Sequence, residues 1–346
     1  MPKVVDWWKI CDDFHEGLIL GNGASIATHQ GFAYQSLLEE ARKRQFISES
    51  AEAVFDHLCT QDFERVLRML WHASRINKAL GVKDRRTTET YESIRSALVK
   101  TVTRIHPIHT AINATLPQIA KFLKRFKTVV SLNYDLLIYW AILWANERCQ
   151  NRFKDCFIHG EFDSSWEDYR SPYGSAARST LVFYPHGNLA LATNLDGDER
   201  KLNASIASSL LDTIQSEWQS GKYSPLFVSE GTSKQKIAAI RRSPYLKTVY
   251  KSVLPKLGKR VATVGWSLSQ SDKHILQAIG RGELTEIAVS VLTSKPRLEE
   301  KCAAIKRKIE NASTRRTVKV IFFDAKSEGC WINAPYRATK VGRALE

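Results

Sequence analysis

The chain of 346 residues has no apolar run approaching the roughly 18 residues of a membrane-spanning helix. Its opening stretch, MPKVVDWWKICDDFHEG, carries acidic residues where a secretory signal needs an apolar core. A cytoplasmic protein with no membrane partner is therefore expected. Cysteine is sparse and scattered: Cys11, Cys59, Cys149, Cys156, Cys302 and Cys330 form no C-x-x-C pair and no Cys/His cluster at zinc-ligand spacing. All six are expected to be reduced, mostly buried thiols, and no metal is expected. Internal repeats and low-complexity tracts are also missing, which excludes solenoids and propellers.

What is present suits a globular protein with a substantial core, since 43% of residues are hydrophobic and 25% charged. The net charge of +15 is unevenly placed. Between Lys234 and Lys319 there are 20 Lys and Arg against 6 Asp and Glu, a surplus of +14. Such a region attracts nucleic acid, an acidic protein partner or the phosphates of a dinucleotide, or it is a solvated surface.

Leu18-Ile19-Leu20 reads as a buried strand running into the turn Gly21-Asn22-Gly23-Ala24-Ser25. From about Tyr34 to Lys124 the pattern is helical. Phe63, Val66, Leu67, Leu70 and Ile76 recur at steps of mostly three and four, with Asp62 or Thr60 as N-cap, and further amphipathic segments cover Thr88–Arg104 and Ile108–Phe126 with Pro107 between them. Strands and helices then alternate. Strands are predicted at Thr128–Leu132, Leu181–Tyr184, Leu226–Val228, Val261–Val264, Ile287–Leu292 and Val318–Phe322, and helices at Asp135–Asn146, Ala204–Trp218, near Asp272–Ile279 and at Arg297–Glu310. Asp163–Arg178 reads as a long loop and Leu195–Lys201 as a polar turn. Strands separated by single helices predict an α/β fold, a Rossmann-like, mostly parallel sheet with helices on both faces and a helical insertion after the first strand. We expect one domain over residues 1–346 with the insertion at 31–126, and ligands of such sheets bind at the carboxyl ends of the strands.

Four segments at such ends carry the candidate chemistry. Gly21, Asn22, Gly23 and Ser25 form a glycine turn that lets backbone approach a pyrophosphate, although the third glycine of G-x-G-x-x-G is lacking and a structural turn accounts for it equally. In Ser131-Leu132-Asn133-Tyr134-Asp135, two polar side chains at i and i+2 can both face the crevice, while Asp135 can equally cap the next helix. Tyr184-Pro185-His186-Gly187 puts a histidine at a strand end, suited to general-base work or to holding a ribose hydroxyl. His159-Gly160 lacks that context and is set aside. In Val264-Gly265-Trp266-Ser267-Leu268-Ser269-Gln270-Ser271-Asp272, the Gly/Ser turn offers amides and hydroxyls to phosphate or ribose, or simply caps a helix.

Taken in order, the glycine turn, N-x-D, H-G and G-x-S resemble the sirtuin family over about Leu18 to Asp272. The spellings G-N-G-A-S, N-Y-D, H-G and G-W-S-L-S-x-x-D, with Pro225–Thr232 and Asp62-Phe63-Glu64-x-x-Leu67, are similar to a bacterial antiphage-defence branch of sirtuin-like NAD hydrolases.

That resemblance implies one NAD pocket in which Asn133 holds the ribose and attacking water, Asp135 receives the nicotinamide carboxamide and His186 contacts ribose hydroxyls and assists proton removal. It further implies that Gly21, Asn22, Gly23 and Ser25 wrap the pyrophosphate, that Gly265 and Ser267 approach the adenosine side and that Glu230 binds a ribose diol, where a structural role fits as well. Protein-deacylating sirtuins usually carry a four-cysteine zinc ribbon after H-G, whereas Asn188–Pro225 here has no cysteine. The implied activity is thus hydrolysis of NAD, the substrate, to nicotinamide and ADP-ribose. Alternatives are a nucleotide-sensing or nucleic-acid-binding partner subunit with this fold, and an NAD-dependent deacylase. Activation would come from homo-oligomerisation, a partner protein subunit, or nucleic acid held by residues 234–319. Removing Asn133 or His186 is expected to abolish cleavage while leaving the fold intact.

Overall fold

The computed structural model describes residues 3–33, 36–148, 152–172, 176, 178–194, 196–203, 209–228, 232–313 and 317–334. In chain order the strands are β1 (Val4–Val5), β2 (Gly17–Leu20), β3 (Thr128–Ser131), β4 (Phe153–Lys154), β5 (Phe157–Ile158), β6 (Glu161–Phe162) and β7 (Thr180–Phe183), followed by β8 (Gly187–Asn194), β9 (Glu199–Lys201), β10 (Tyr223–Phe227), β11 (Arg260–Val264), β12 (Glu286–Val291) and β13 (Lys319–Asp324). Eight of them build one sheet in the order β1-β13-β12-β11-β2-β3-β7-β4, and every neighbouring pair is parallel. The fold is α/β and Rossmann-like.

Every residue of β2, β3 and β7 is buried. Since successive side chains point to opposite faces, both faces of the sheet are covered, which explains why these strands read as continuous apolar runs. The helices are α1 (Asn22–Thr28), α2 (Leu37–Lys43), α3 (Glu49–His57), α4 (Phe63–Ala79), α5 (Arg86–Ile105), α6 (His109–Ile112), α7 (Leu116–Leu123), α8 (Leu137–Arg148), α9 (Leu210–Ser220), α10 (Ser233–Ile240), α11 (Pro244–Thr248), α12 (Lys273–Gly280) and α13 (Leu298–Ala312). Buried apolar side chains from Trp7 to Trp331 join in one contiguous core.

The helical block after β2 comprises α2 to α7, with α5 as its spine against α2, α3, α4 and α9. Asp62 caps α4 by accepting from the Arg65 amide at 3.4 Å. His106, before Pro107, closes α5 in an extended conformation (ψ 126°), because the proline ring disfavours helical geometry in its predecessor. The segment predicted as one helix at Ile108–Phe126 is two, α6 and α7, separated by a 3-10 turn.

Beyond His186 the chain adds β8, the centre of a three-stranded antiparallel sheet in the order β10-β8-β9. Of the polar turn expected at Leu195–Lys201, Glu199–Lys201 is strand β9 and Leu195 lies outside the described residues. Residues 204–208, the first turn of the helix predicted at Ala204–Trp218, lie outside the described residues; within them, α9 begins at Leu210.

The order of strands reverses beside β2. From β2 the chain proceeds to β3, out to the edge strand β4 and back in to β7, and later returns to the other side of β2 with β11, β12 and β13. The point between the carboxyl ends of β2 and β11 is the topological switch, where the divergent connections leave a crevice.

Candidate active site

Two glycine turns meet at this switch point. Gly21 and Gly23 follow β2, and Gly265 follows β11 with φ +68°. The Gly21 amide donates to the Val264 carbonyl at 3.0 Å and the Gly23 amide to the Gly265 carbonyl at 2.9 Å. A Cβ at Gly265 would lie 2.1 Å from the Ala24 nitrogen, and one at Gly21 would lie 2.6 Å from the Gly265 carbonyl oxygen. The glycines are thus demanded by the contact of the two turns with each other. The Gly265 amide is held by the Ser290 hydroxyl at 2.9 Å.

Asn133 follows β3 and is 7% exposed. Its Nδ2 donates to the Gly21 carbonyl at 3.1 Å and to the Ser25 hydroxyl at 2.8 Å, an orientation fixed because a carbonyl only accepts. Its Oδ1 makes no hydrogen bond among the described residues. Asp135, equally buried, accepts from the Leu137 amide at 2.9 Å, so its capping role is real. Burial pushes its carboxyl up to about 6, partly offset by the Ser25 hydroxyl and the Leu137 amide. Ser25 therefore ties Asn133 to Asp135. The start of α8 is also held by His106, whose Nε2 accepts from the Leu136 amide at 3.1 Å while Nδ1 donates to the Pro107 carbonyl at 2.8 Å.

His186 follows β7 and is 2% exposed. Gly187 (φ +72°) lets the chain turn against β10, where a Cβ would sit 2.0 Å from the Leu226 carbonyl oxygen, and Val228 donates to the His186 carbonyl at 2.7 Å. His186 Nε2 lies 3.0 Å from Nε2 of His274 on α12, so one proton is shared between the two rings. His274 Nδ1 lies 3.2 Å from the Ser233 hydroxyl. Beside them Lys236 and Asp272 form a buried ion pair at 3.0 Å. Burial, then the positive Lys236, hold His186 well below the usual histidine range, and the same two causes bring His274 down to about 4. For Asp272, burial alone would raise the carboxyl, but His186 and Lys236 hold it below its ordinary value.

Many of these groups border one cavity of about 1100 Å³ at the carboxyl ends of the strands, just above the ~300–1,000 Å³ range of ligand sites. Gly21, Asn22, Gly23, Asn133, Asp135, His186, Gly265 and Ser267 all line it. Ser25 does not; it lies fully buried behind Asn133. Glu230 lies outside the described residues, and His159 sits exposed in the turn between β5 and β6. Lys236, Lys301 and Lys326 also line the cavity, as do Trp331 and Asn333. No local sequence signal singles these out, nor His274. Trp331 clamps α1 from the far end of the chain, its Nε1 donating to the Ala24 carbonyl at 2.9 Å. Asn133 and His186 are both hydrogen-bonded within the interior.

Among the described residues, no group of three or more His, Cys, Asp or Glu side chains is placed to hold a metal ion. The five described cysteines are free thiols: Cys156, Cys302 and Cys330 are buried, Cys11 is half-buried and Cys59 is exposed. Cys149 lies outside the described residues. No described helix is long and apolar enough to cross a membrane.

Polar side chains gathered at the switch point of a parallel sheet define an α/β protein of Rossmann-like architecture with a built crevice. The chain belongs to the family described as a domain of unknown function, DUF4917, which matches residues 18–331 and so encloses all four motif segments. Comparison with curated proteins gives no match.

Proposed function

We propose that the crevice binds NAD and hydrolyses its nicotinamide–ribose bond, as the sirtuin resemblance implies. The observation that carries the reading is convergence: segments around residues 21, 133, 186 and 265, far apart in the chain, line one cavity at the switch point. Three lysines on its wall, Lys236, Lys301 and Lys326, suit a diphosphate.

The nicotinamide of NAD leaves as a neutral base from a cationic substrate, so the reaction needs orientation and exclusion of water more than acid catalysis. Asn133, pinned through Nδ2, presents Oδ1 to the ribose and the attacking water. Asp135, ionised above about pH 6, accepts from the carboxamide. His186, kept neutral by its burial and by Lys236, is available as a base at neutral pH. Asn22 and the glycine turn flank the diphosphate, with Gly265 and Ser267 towards the adenosine.

Antiphage defence by NAD depletion, with control through oligomerisation, a partner subunit or nucleic acid, belongs to the same proposal and rests on the resemblance. The test is to incubate the purified protein with NAD and to follow nicotinamide and ADP-ribose, with and without added DNA, RNA or phage lysate. Release of both products supports the reading. Binding of NAD without cleavage under every condition overturns it in favour of a nucleotide sensor.

A further inference from the structure

The crevice is not the only cavity that reaches the buried histidines. A second one, of about 980 Å³, lies between the helical block and α10, lined by Thr60, Gln61, Ser233, Gln235 and Gln270 among others. Ser271 lines both cavities. Between them runs an unbroken chain of polar atoms: His186 on the crevice wall, His274 Nε2 at 3.0 Å, and Ser233 Oγ at 3.2 Å from His274 Nδ1, on the wall of the second cavity. His274 is fully buried and lines neither cavity, so its two ring nitrogens join groups that do.

We infer that His274 and Ser233 are positioning residues forming a proton exit from the crevice, an inference resting on the hydrolase reading above. Hydrolysis of NAD by water forms a carbon–oxygen bond at the ribose, breaks the bond to the pyridinium nitrogen, whose electron pair leaves with neutral nicotinamide, and releases one proton. A dinucleotide filling the crevice displaces the water that would carry this proton away. His186 Nδ1 takes the proton from the attacking water, and the Leu132 backbone, which hydrogen-bonds this ring, favours its protonated form. Nε2–H of the same ring passes its proton to His274 Nε2, Nδ1–H of His274 passes its own to the Ser233 oxygen, and the Ser233 hydroxyl proton goes to water in the second cavity. Each imidazole gains one proton and loses one, so no charged pair accumulates.

Charged and titratable groups around the relay come from each element packed on it. Lys236 from α10 and Asp272 at the head of α12 form their own ion pair, and the Tyr250 ring lies 6.1 Å from the His274 ring. Lys236 disfavours a resident proton on either imidazole while Asp272 tempers that effect, which suits transfer rather than storage.

The test compares wild type with Ser233→Ala and His274→Gln, measuring NAD binding by titration, kcat for nicotinamide release from pH 6 to 9, and rescue by small buffer bases such as imidazole. Both variants are expected to bind NAD as wild type does, to lose at least ~10-fold in kcat near neutral pH, and to recover as buffer base is added. Ser233→Ala removes one oxygen from a half-buried helix start, so the test does not depend on whether His274→Gln folds. If wild type cleaves NAD and Ser233→Ala cleaves equally well with the same pH profile, the relay is wrong and the hydrolase reading stands. A loss of kcat with no buffer rescue also overturns the relay. If wild type binds NAD and releases no nicotinamide under any of the conditions above, both fall together.

Discussion

Across 108 positions of sequence, the Asn133 side-chain amide donates to the Ser25 hydroxyl at 2.8 Å. Ser25 does not line the cavity, yet it fixes which atom of Asn133 does. Ser25→Ala leaves a buried N–H one acceptor short and removes a donor to Asp135, so a loss of about 1–3 kcal/mol is expected. Urea unfolding monitors that loss, and nicotinamide release should fall with it although no crevice atom has changed. Unchanged stability and unchanged turnover together would show that Asn133 is not held this way.

For Asn133→Ala and His186→Ala we expect at least ~100-fold loss of NAD cleavage, accompanied by a measurable fall in the unfolding midpoint because each side chain is bonded in the interior. Near wild-type turnover by either variant would remove that residue from the reacting centre.

Gly265 and Gly81 share a left-handed backbone, φ +68° and +69°, but only Gly265 is crowded; nothing lies within 4 Å of a Cβ at Gly81. Gly81→Ala is therefore expected to cost about 1 kcal/mol from backbone strain alone. Gly265→Ala must in addition part the two turns. A cost more than ~2 kcal/mol above that of Gly81→Ala is expected, together with loss of NAD binding by titration. Equal costs at the two positions would argue against a tight contact between the turns.

Burial brings His106 down to about 4. The unfolded chain binds a proton at this residue below about pH 6.5, whereas the native state resists it until near 4. Native stability therefore falls as pH drops from about 6.5 to 4, by about 3 kcal/mol for this group. His274, at about 4, acts in the same direction. Asp135, raised to about 6, acts oppositely: the native state takes up its proton first, and stability gains as pH falls from about 6 towards 3.8. Subtraction isolates the first effect. The stability advantage of wild type over His106→Gln should shrink by about 2–3 kcal/mol between pH 7 and pH 4.5, and a pH-independent difference would show that His106 titrates normally.

The basic region invites a charge-reversal test on α13, and the structure decides which residues to use. All three side chains are exposed, but Lys308 donates to the Leu268 carbonyl at 2.9 Å and so supports the turn that carries Ser267, whereas Lys306 pairs with Glu310 within its own helix. Lys306→Glu with Arg307→Glu is expected to leave NAD binding unchanged while reducing assembly size on gel filtration, if this face docks another subunit. A steep loss of nucleic-acid binding, with a flatter dependence on salt, would instead assign the face to a polyanion. No change in either property would leave the charge as solvated surface.

Much of this architecture was legible because its signals are local. A strand that ends in a glycine or Asn/Asp turn before an apolar helix announces its own carboxyl end, which is why residues 21–25, 133–135, 186 and 265–267 stand out in the sequence alone. The missing strands have physical reasons. Val4–Val5 and Phe153–Lys154 are too short for any periodicity, and β8 reads GNLALATN, rich in residues that disfavour strands and held there by burial between β9 and β10. Helices α10 and α11 carry too weak a periodicity to be predicted, although their caps are written plainly: Thr232 and Gln235 form a capping box, and Ser243 precedes Pro244 at the first helical position. His274 and Lys236 carry no local signal, since a single histidine or lysine on a helix acquires meaning only from what faces it.

The parallel centre of the sheet also sets a timetable for the ribosome. Leu18 pairs with Val129 on one side and with Ala262 on the other, so the second partner emerges roughly 240 residues after the first residue of β2. At about 5–20 residues per second, the β2 edge that will meet Gly265 waits roughly 12–50 s for its neighbour. Throughout that interval the glycine turn has nothing to lean on, and the nascent chain exposes an apolar strand edge of the kind that chaperones bind.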